Sequence, residues 1–108
     1  MDYKYFASLA EEMEIPQDGI LTRTLFETDL IKVVLFGFSP GQELSEHTAS
    51  KPALLHFLKG ECSLTLGEDS LDVKEGAWVH MNPGLAHSLK AKTEVTMLLT
   101  LLKGVGNH

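Results

Sequence analysis

The chain has 108 residues, 44% of them hydrophobic and 22% charged, with fifteen acidic side chains against nine basic ones and a formal net charge of −6. This is one domain's worth of an ordinary globular composition, which sets intrinsic disorder aside. An acidic chain without a Lys/Arg cluster repels phosphate backbones and anionic lipids, so neither nucleic acid nor a membrane surface is expected as a partner. Cys62 is the single cysteine, so there is no intramolecular disulfide framework. Met1 to Phe6 has no basic stretch followed by an apolar run, so no signal peptide is expected. No apolar run approaches the ~20 residues that cross a bilayer. A cytoplasmic location fits these features.

Phe6, Leu9, Ala10 and Met13 recur at helical spacing, which predicts a short helix over Phe6 to Met13, ended by Pro16 and the turn Gln17-Asp18-Gly19. Beyond it, short apolar runs alternate with Gly, Pro, Asp and Asn breaks. Strands are predicted over Ile20 to Glu27, Leu30 to Phe38, Ala53 to Leu58, Glu61 to Leu66, Leu71 to Val73, Ala77 to Met81, Ala86 to Ala91 and Val95 to Leu102. So many short strands leave no room for helical crossovers, and the sheets should be mainly antiparallel. The expected organisation is a single domain over 1–108, with a helix and turn over 1–19 and an all-β barrel over 20–103.

Two of the runs, Val33 to Phe36 and Thr96 to Leu102, are apolar on both faces. One face fills the barrel and the other needs cover. A second copy of the chain is the expected cover, giving a homodimer. The N-terminal helix is the competing one.

The chemistry centres on histidine. His108 ends the chain, where fraying is expected. His47, His56, His80 and His87 fall within a short stretch, and neutral imidazole is a common ligand of Zn, Fe, Ni and Cu. Two glycine-anchored patterns enclose them. Gly41 precedes His47 by five intervening residues, and that run closes at Gly60. Gly76 leads through Asn82-Pro83-Gly84 to His87. In these spacings the chain resembles the cupin superfamily, in particular the small single-domain, RmlC-like jelly rolls. The resemblance spans roughly residues 31–102. It implies an antiparallel double-stranded β-helix with a divalent transition metal (Zn, Fe, Mn, Ni or Cu) held inside the barrel by three histidines and a glutamate.

The ligand pattern is only half kept. His47 and His87 stand at two of the family's ligand positions, Ala49 replaces the second histidine and Ala53 the glutamate. Asn82 and Ala91 replace a proline and an asparagine of the second motif. If Ala53 points inward, alternation turns Leu55 and Phe57 inward and His56 outward. His80 is separated from His87 by a turn, across which parity does not carry. The expected ligand pocket is therefore His47, His87, Leu55 and Phe57, with His47 and His87 as metal ligands and His56 and His80 as candidate additions. Glu43 and Glu46 are candidate carboxylate donors or a solvated loop. Trp78 is a ligand-stacking or core aromatic. Cys62 is a buried small hydrophobe or a thiolate ligand.

Three functions follow. The first is a barrel that binds a small molecule, with or without a divalent metal. The second is a metal-dependent enzyme of dioxygenase, isomerase or decarboxylase type. The third is a non-catalytic dimeric scaffold.

Overall fold

The computed structural model describes residues 2–104. Nine strands run through it: β1 Ile20–Glu27, β2 Ile31–Phe38, β3 Glu43–His47, β4 Ala53–Lys59, β5 Glu61–Leu66, β6 Asp69–Lys74, β7 Trp78–Met81, β8 His87–Ala91 and β9 Val95–Leu102. They form a five-stranded sheet in the order β1-β2-β9-β4-β7 and a four-stranded sheet in the order β3-β8-β5-β6. Every pairing is antiparallel. The all-β double-stranded β-helix is thus the observed architecture.

The core lies between the sheets. Along β4, buried Ala53, Leu55 and Phe57 alternate with partly exposed Leu54, His56 and Leu58. The ladder carries that parity onto β9, where Ala53 faces Leu101, Leu55 faces Leu99 and Phe57 faces Met97. Cys62 and Leu64 of β5 and Leu89 and Ala91 of β8 supply the opposite wall. Cys62 is fully buried, and loss of water around its sulfur pushes the thiol up to about 11. It is a small hydrophobe of the core rather than a thiolate.

The doubly apolar strands β2 and β9 are neighbours in the larger sheet, which explains their lack of alternation. Their outer face is covered in part by the N-terminal segment. Met13, Leu25 and Leu35 form a second buried cluster, with Phe6, Leu9, Ile15, Val33, Leu58 and Leu98 packed against it. Met13 lies so close over Gly37 that a Cβ there would meet its side chain at 2.7 Å.

The predicted helix over Phe6 to Met13 is not formed. Only a 3₁₀ turn, Ala10–Glu12, is present, and no side chain caps it. Eight residues are too few to repay helix nucleation unaided. The segment is instead irregular apart from that turn, and it packs Phe6, Leu9 and Met13 over the sheet. Arg23 fastens it, donating through Nη1 to the Glu12 carbonyl (2.9 Å) and the Glu12 carboxylate (3.0 Å). Among the described residues no helix is long and apolar enough to cross a membrane. His108 lies outside the described residues.

Candidate functional site

β3 is an edge strand, paired only with β8. Leu44 faces Leu89 and His47 faces His87, so three steps along β3 match two along β8. Strict alternation from Leu44 would turn Glu46 inward and His47 away. The bulge supplies the extra residue that returns His47 to the face of Leu44. On β8, His87 and Leu89 already share a face by parity. The two imidazoles therefore meet across the ladder, ring centroids 4.1 Å apart and tilted by 59°. The loops carrying them are tied together, since Gly84 N donates to the Ala49 carbonyl at 2.8 Å.

Each ring is held by its own backbone. His47 Nδ1 lies 2.7 Å from the Ser45 carbonyl and His87 Nδ1 lies 2.8 Å from the Leu85 carbonyl. A carbonyl oxygen only accepts, so Nδ1 carries the hydrogen in both rings. Nε2 of each neutral ring then keeps its lone pair. Both residues line a cavity of about 210 Å³ between the sheets. His47 is exposed and His87 half-buried, so the pair marks the open end. Behind it the lining is apolar: Phe36, Leu44, Ala49, Ala53, Leu55, Leu64, Met81, Leu89, Met97, Leu99 and Leu101, with Ser88 the one further polar residue.

The other predicted site residues divide clearly. Leu55 is in the lining, whereas Phe57 is not. Phe57 is fully buried in the core, its backbone N–H on the Ala77 carbonyl (2.9 Å) and its carbonyl accepting from Gly76 N (2.8 Å). It stands four residues beyond Ala53, roughly 13 Å along an extended strand. His56 and His80 do not join the pair. His56 faces Trp78 and His80 faces Leu54 across the β4–β7 ladder, all on the outer face of the larger sheet. Trp78 is 60% exposed there, neither core nor lining. Glu46 is exposed, and Glu43 reaches Lys90 on the outside of β8, Oε1 to Nζ 3.6 Å. Sequence reasoning did not single out Met97, Leu99 and Leu101, although the parity of β9 would have found them.

The four positions of the cupin ligand pattern, His47, Ala49, Ala53 and His87, all line this cavity. Two of them offer nitrogen and two offer methyl groups. Among the described residues no group of three or more His, Cys, Asp or Glu is placed to hold a metal ion. A catalytic zinc takes three protein donors and a structural one four. The residues present therefore do not fit a resident metal centre.

A jelly roll with paired histidines opening onto an interior cavity is the cupin arrangement. The family model for the cupin domain matches residues 34–102, so the chain belongs to the cupin family. No curated protein matches it. A solved structure of a conserved protein of unknown function from Streptococcus pyogenes is similar at 29% identity, with a TM-score of 0.83 over 95% of this chain and 90% of that one. A cupin 2 conserved barrel domain protein from Leptotrichia buccalis is 27% identical, with a TM-score of 0.82, over 88% of this chain and 46% of its own. A cupin superfamily protein from Desulfitobacterium hafniense matches at 24% identity and a TM-score of 0.82, over 87% of this chain and 86% of its own, and speaks for the fold alone.

Proposed function

We propose that the protein is a small-molecule-binding cupin whose ligand occupies the cavity between the sheets, with His47 and His87 as the polar groups at its mouth. The observation that carries this is Ala49 and Ala53. At two positions where the family pattern places metal ligands, this chain places methyl groups facing an apolar cavity. Binding sites of this kind combine apolar walls with a few orienting polar groups. An apolar cavity of about 150 Å³ holds benzene, so the 210 Å³ here accommodates one ring with a small substituent.

Toluene tests the reading without presuming a head group. Its binding is expected to raise the melting temperature of the wild type progressively with concentration, as any ligand of the native state does. Ala53→Leu and Ala49→Leu, which fill the cavity from two separate segments, are expected to lower the affinity by tenfold or more, a loss on the order of 1.4 kcal/mol. A wild type whose melting temperature ignores toluene overturns the proposal.

A second reading is an exchangeable divalent ion (Zn, Fe, Mn, Ni or Cu) on the two Nε2 atoms. It is favoured by the Nδ1 bonds, the support that metal-ligating histidines ordinarily receive. Elemental analysis after dialysis against chelator decides it. The wild type is expected to lose its metal, and the Ala49→His, Ala53→Glu double variant, which restores four donors, to retain near-stoichiometric metal. Metal held by the wild type through dialysis, and lost in a His47→Ala, His87→Ala variant, would replace the proposal with a metalloprotein.

The same protein is proposed to be a homodimer through the outer face of the larger sheet, where Trp78 stands exposed beside His56 and Leu54 and the N-terminal cluster gives no cover. Sedimentation at micromolar concentration is expected to give twice the 11.9 kDa chain mass. Trp78→Lys is expected to shift it to the monomer. A monomeric wild type at 100 μM, the order of the weakest specific contacts, removes the dimer.

A further inference from the structure

We infer that the ligand of this cavity is an uncharged or cationic molecule of single-ring size that donates a hydrogen bond, through a hydroxyl or an amino group, to the His47–His87 pair, and that it is not a carboxylate or a phosphate. The inference rests on the proposed binding reading and adds the chemical class.

The donor and acceptor inventory at the mouth leads to it. Both Nδ1 hydrogens are consumed by the carbonyls of Ser45 and Leu85. What each ring presents in its neutral form is the Nε2 lone pair, an acceptor, so the comparison of head groups belongs at about pH 8, above the ordinary range of imidazole. Two acceptors carried on rings whose centroids lie 4.1 Å apart favour a proton donor or a cation beside them over a further acceptor. An anionic head would add a third acceptor to the same place. None of the fourteen lining residues is a lysine or an arginine, and Ser88 is the only hydroxyl. The chain's net charge of −6 adds a field that disfavours an anion further.

The body of the ligand is set by the walls. Eleven lining residues are apolar and come from both sheets, so the part beyond the head must tolerate complete loss of water. Burying a polar group there without a partner is costly, which limits polar atoms to the end near the histidines. Phenol and benzylamine satisfy these conditions, and benzoate fails on the charge of its head alone.

Lys51 is the cation among the described residues whose buried, unpartnered Nζ could reverse the preference. It lies in the loop between β3 and β4, and its Nζ is buried without a hydrogen-bond partner among the described residues. It is not part of the cavity lining, so the acceptor pair governs the head group.

The test compares four probes of one size, toluene, phenol, benzylamine and benzoate, by isothermal titration calorimetry on the full chain at one pH and ionic strength. Phenol and benzylamine are expected to bind about 3- to 10-fold more tightly than toluene, the yield of one net hydrogen bond, and benzoate more weakly than toluene. His47→Phe and His87→Phe, which keep a ring and remove the acceptor, are expected to erase the advantage of phenol, so that phenol and toluene bind each variant equally, within about 2-fold of one another. Benzoate binding more tightly than phenol, with the gain removed by Lys51→Met, overturns the inference and leaves the cavity reading standing. Equal affinities for toluene and phenol also overturn it. Failure of all four probes overturns the binding reading itself, and this inference with it.

Discussion

Gly60→Ala is expected to cost about 2–5 kcal/mol, the sum of roughly 1–2 for left-handed backbone at a residue with a Cβ and roughly 1–3 for overpacking. Gly60 sits in the turn from β4 to β5, where the chain leaves one sheet for the other, with φ +87°. A Cβ there would fall onto the Glu94 carbonyl oxygen, a backbone atom in a braced loop. Lys92 N donates to the Glu61 carbonyl at 2.9 Å, Glu61 N donates to Thr93 Oγ1 at 3.0 Å, and the Thr93 hydroxyl donates to the Glu94 carbonyl at 2.9 Å. The loop cannot retreat without giving up those bonds. Gly76→Ala is the control. It has φ +93° and nothing lies within 4 Å of where its methyl group would sit, so it should show only the backbone cost, about 1–2 kcal/mol. Urea midpoints of the two variants at constant m-value measure the difference. Losses within 0.5 kcal/mol of one another, below the expected gap of about 1 kcal/mol, would show that the β4–β5 turn has room the geometry denies it.

That turn is also where the sequence was easiest to read. Gly60, Gly67, Gly76 and Gly84 all have positive φ, and each stands at a break that composition alone marks. Strands β1, β5 and β9 begin and end where their apolar runs do. β3 was not legible. Gln42-Glu43-Leu44-Ser45-Glu46-His47 has one apolar residue, because the strand lies at a sheet edge with its outer side in water, and periodicity has nothing to act on. Yet β3 carries His47, and its bulge decides which way His47 points. The site was therefore found through the glycine spacing rather than through any strand signal.

The N-terminal segment shows the opposite failure. Phe6, Leu9 and Met13 have helical spacing, and all three pack on the barrel, but the spacing reports only that they share a partner surface. The sheet supplies that surface to an irregular chain with a single 3₁₀ turn just as well. For β4, parity gave the inward set correctly, with Ala53, Leu55 and Phe57 buried. Parity does not say how far along the barrel the cavity reaches; on β4 its lining ends at Leu55, while on β9 it runs on to Met97, the residue opposite Phe57. His56 and His80 could be placed only through the pairing of β4 with β7, a long-range register that no local pattern reveals.

The boundary between Leu55 and Phe57 gives the second large effect. Phe57 is 1% exposed and packed in the core cluster, so Phe57→Ala is expected to cost about 3–5 kcal/mol. Against a native stability of roughly 5–15 kcal/mol this leaves about 0–12 kcal/mol, so the folded fraction is measured first. Because Phe57 is outside the lining, toluene affinity of the folded fraction should stay within about 2-fold of the wild type, less than 0.5 kcal/mol. Leu55→Ala loses about 2–5 kcal/mol by the same mechanism, but the space it opens adjoins the ligand cavity. It should therefore bind naphthalene at least tenfold more tightly than the wild type does. Stability is read from denaturant midpoints and affinity from calorimetry on the same samples. A Phe57→Ala protein that gains naphthalene binding would show that the cavity runs on to the β4–β5 end of the barrel. Gain in Leu55→Ala alone fixes the floor of the cavity between these two side chains, with the histidine pair at its mouth.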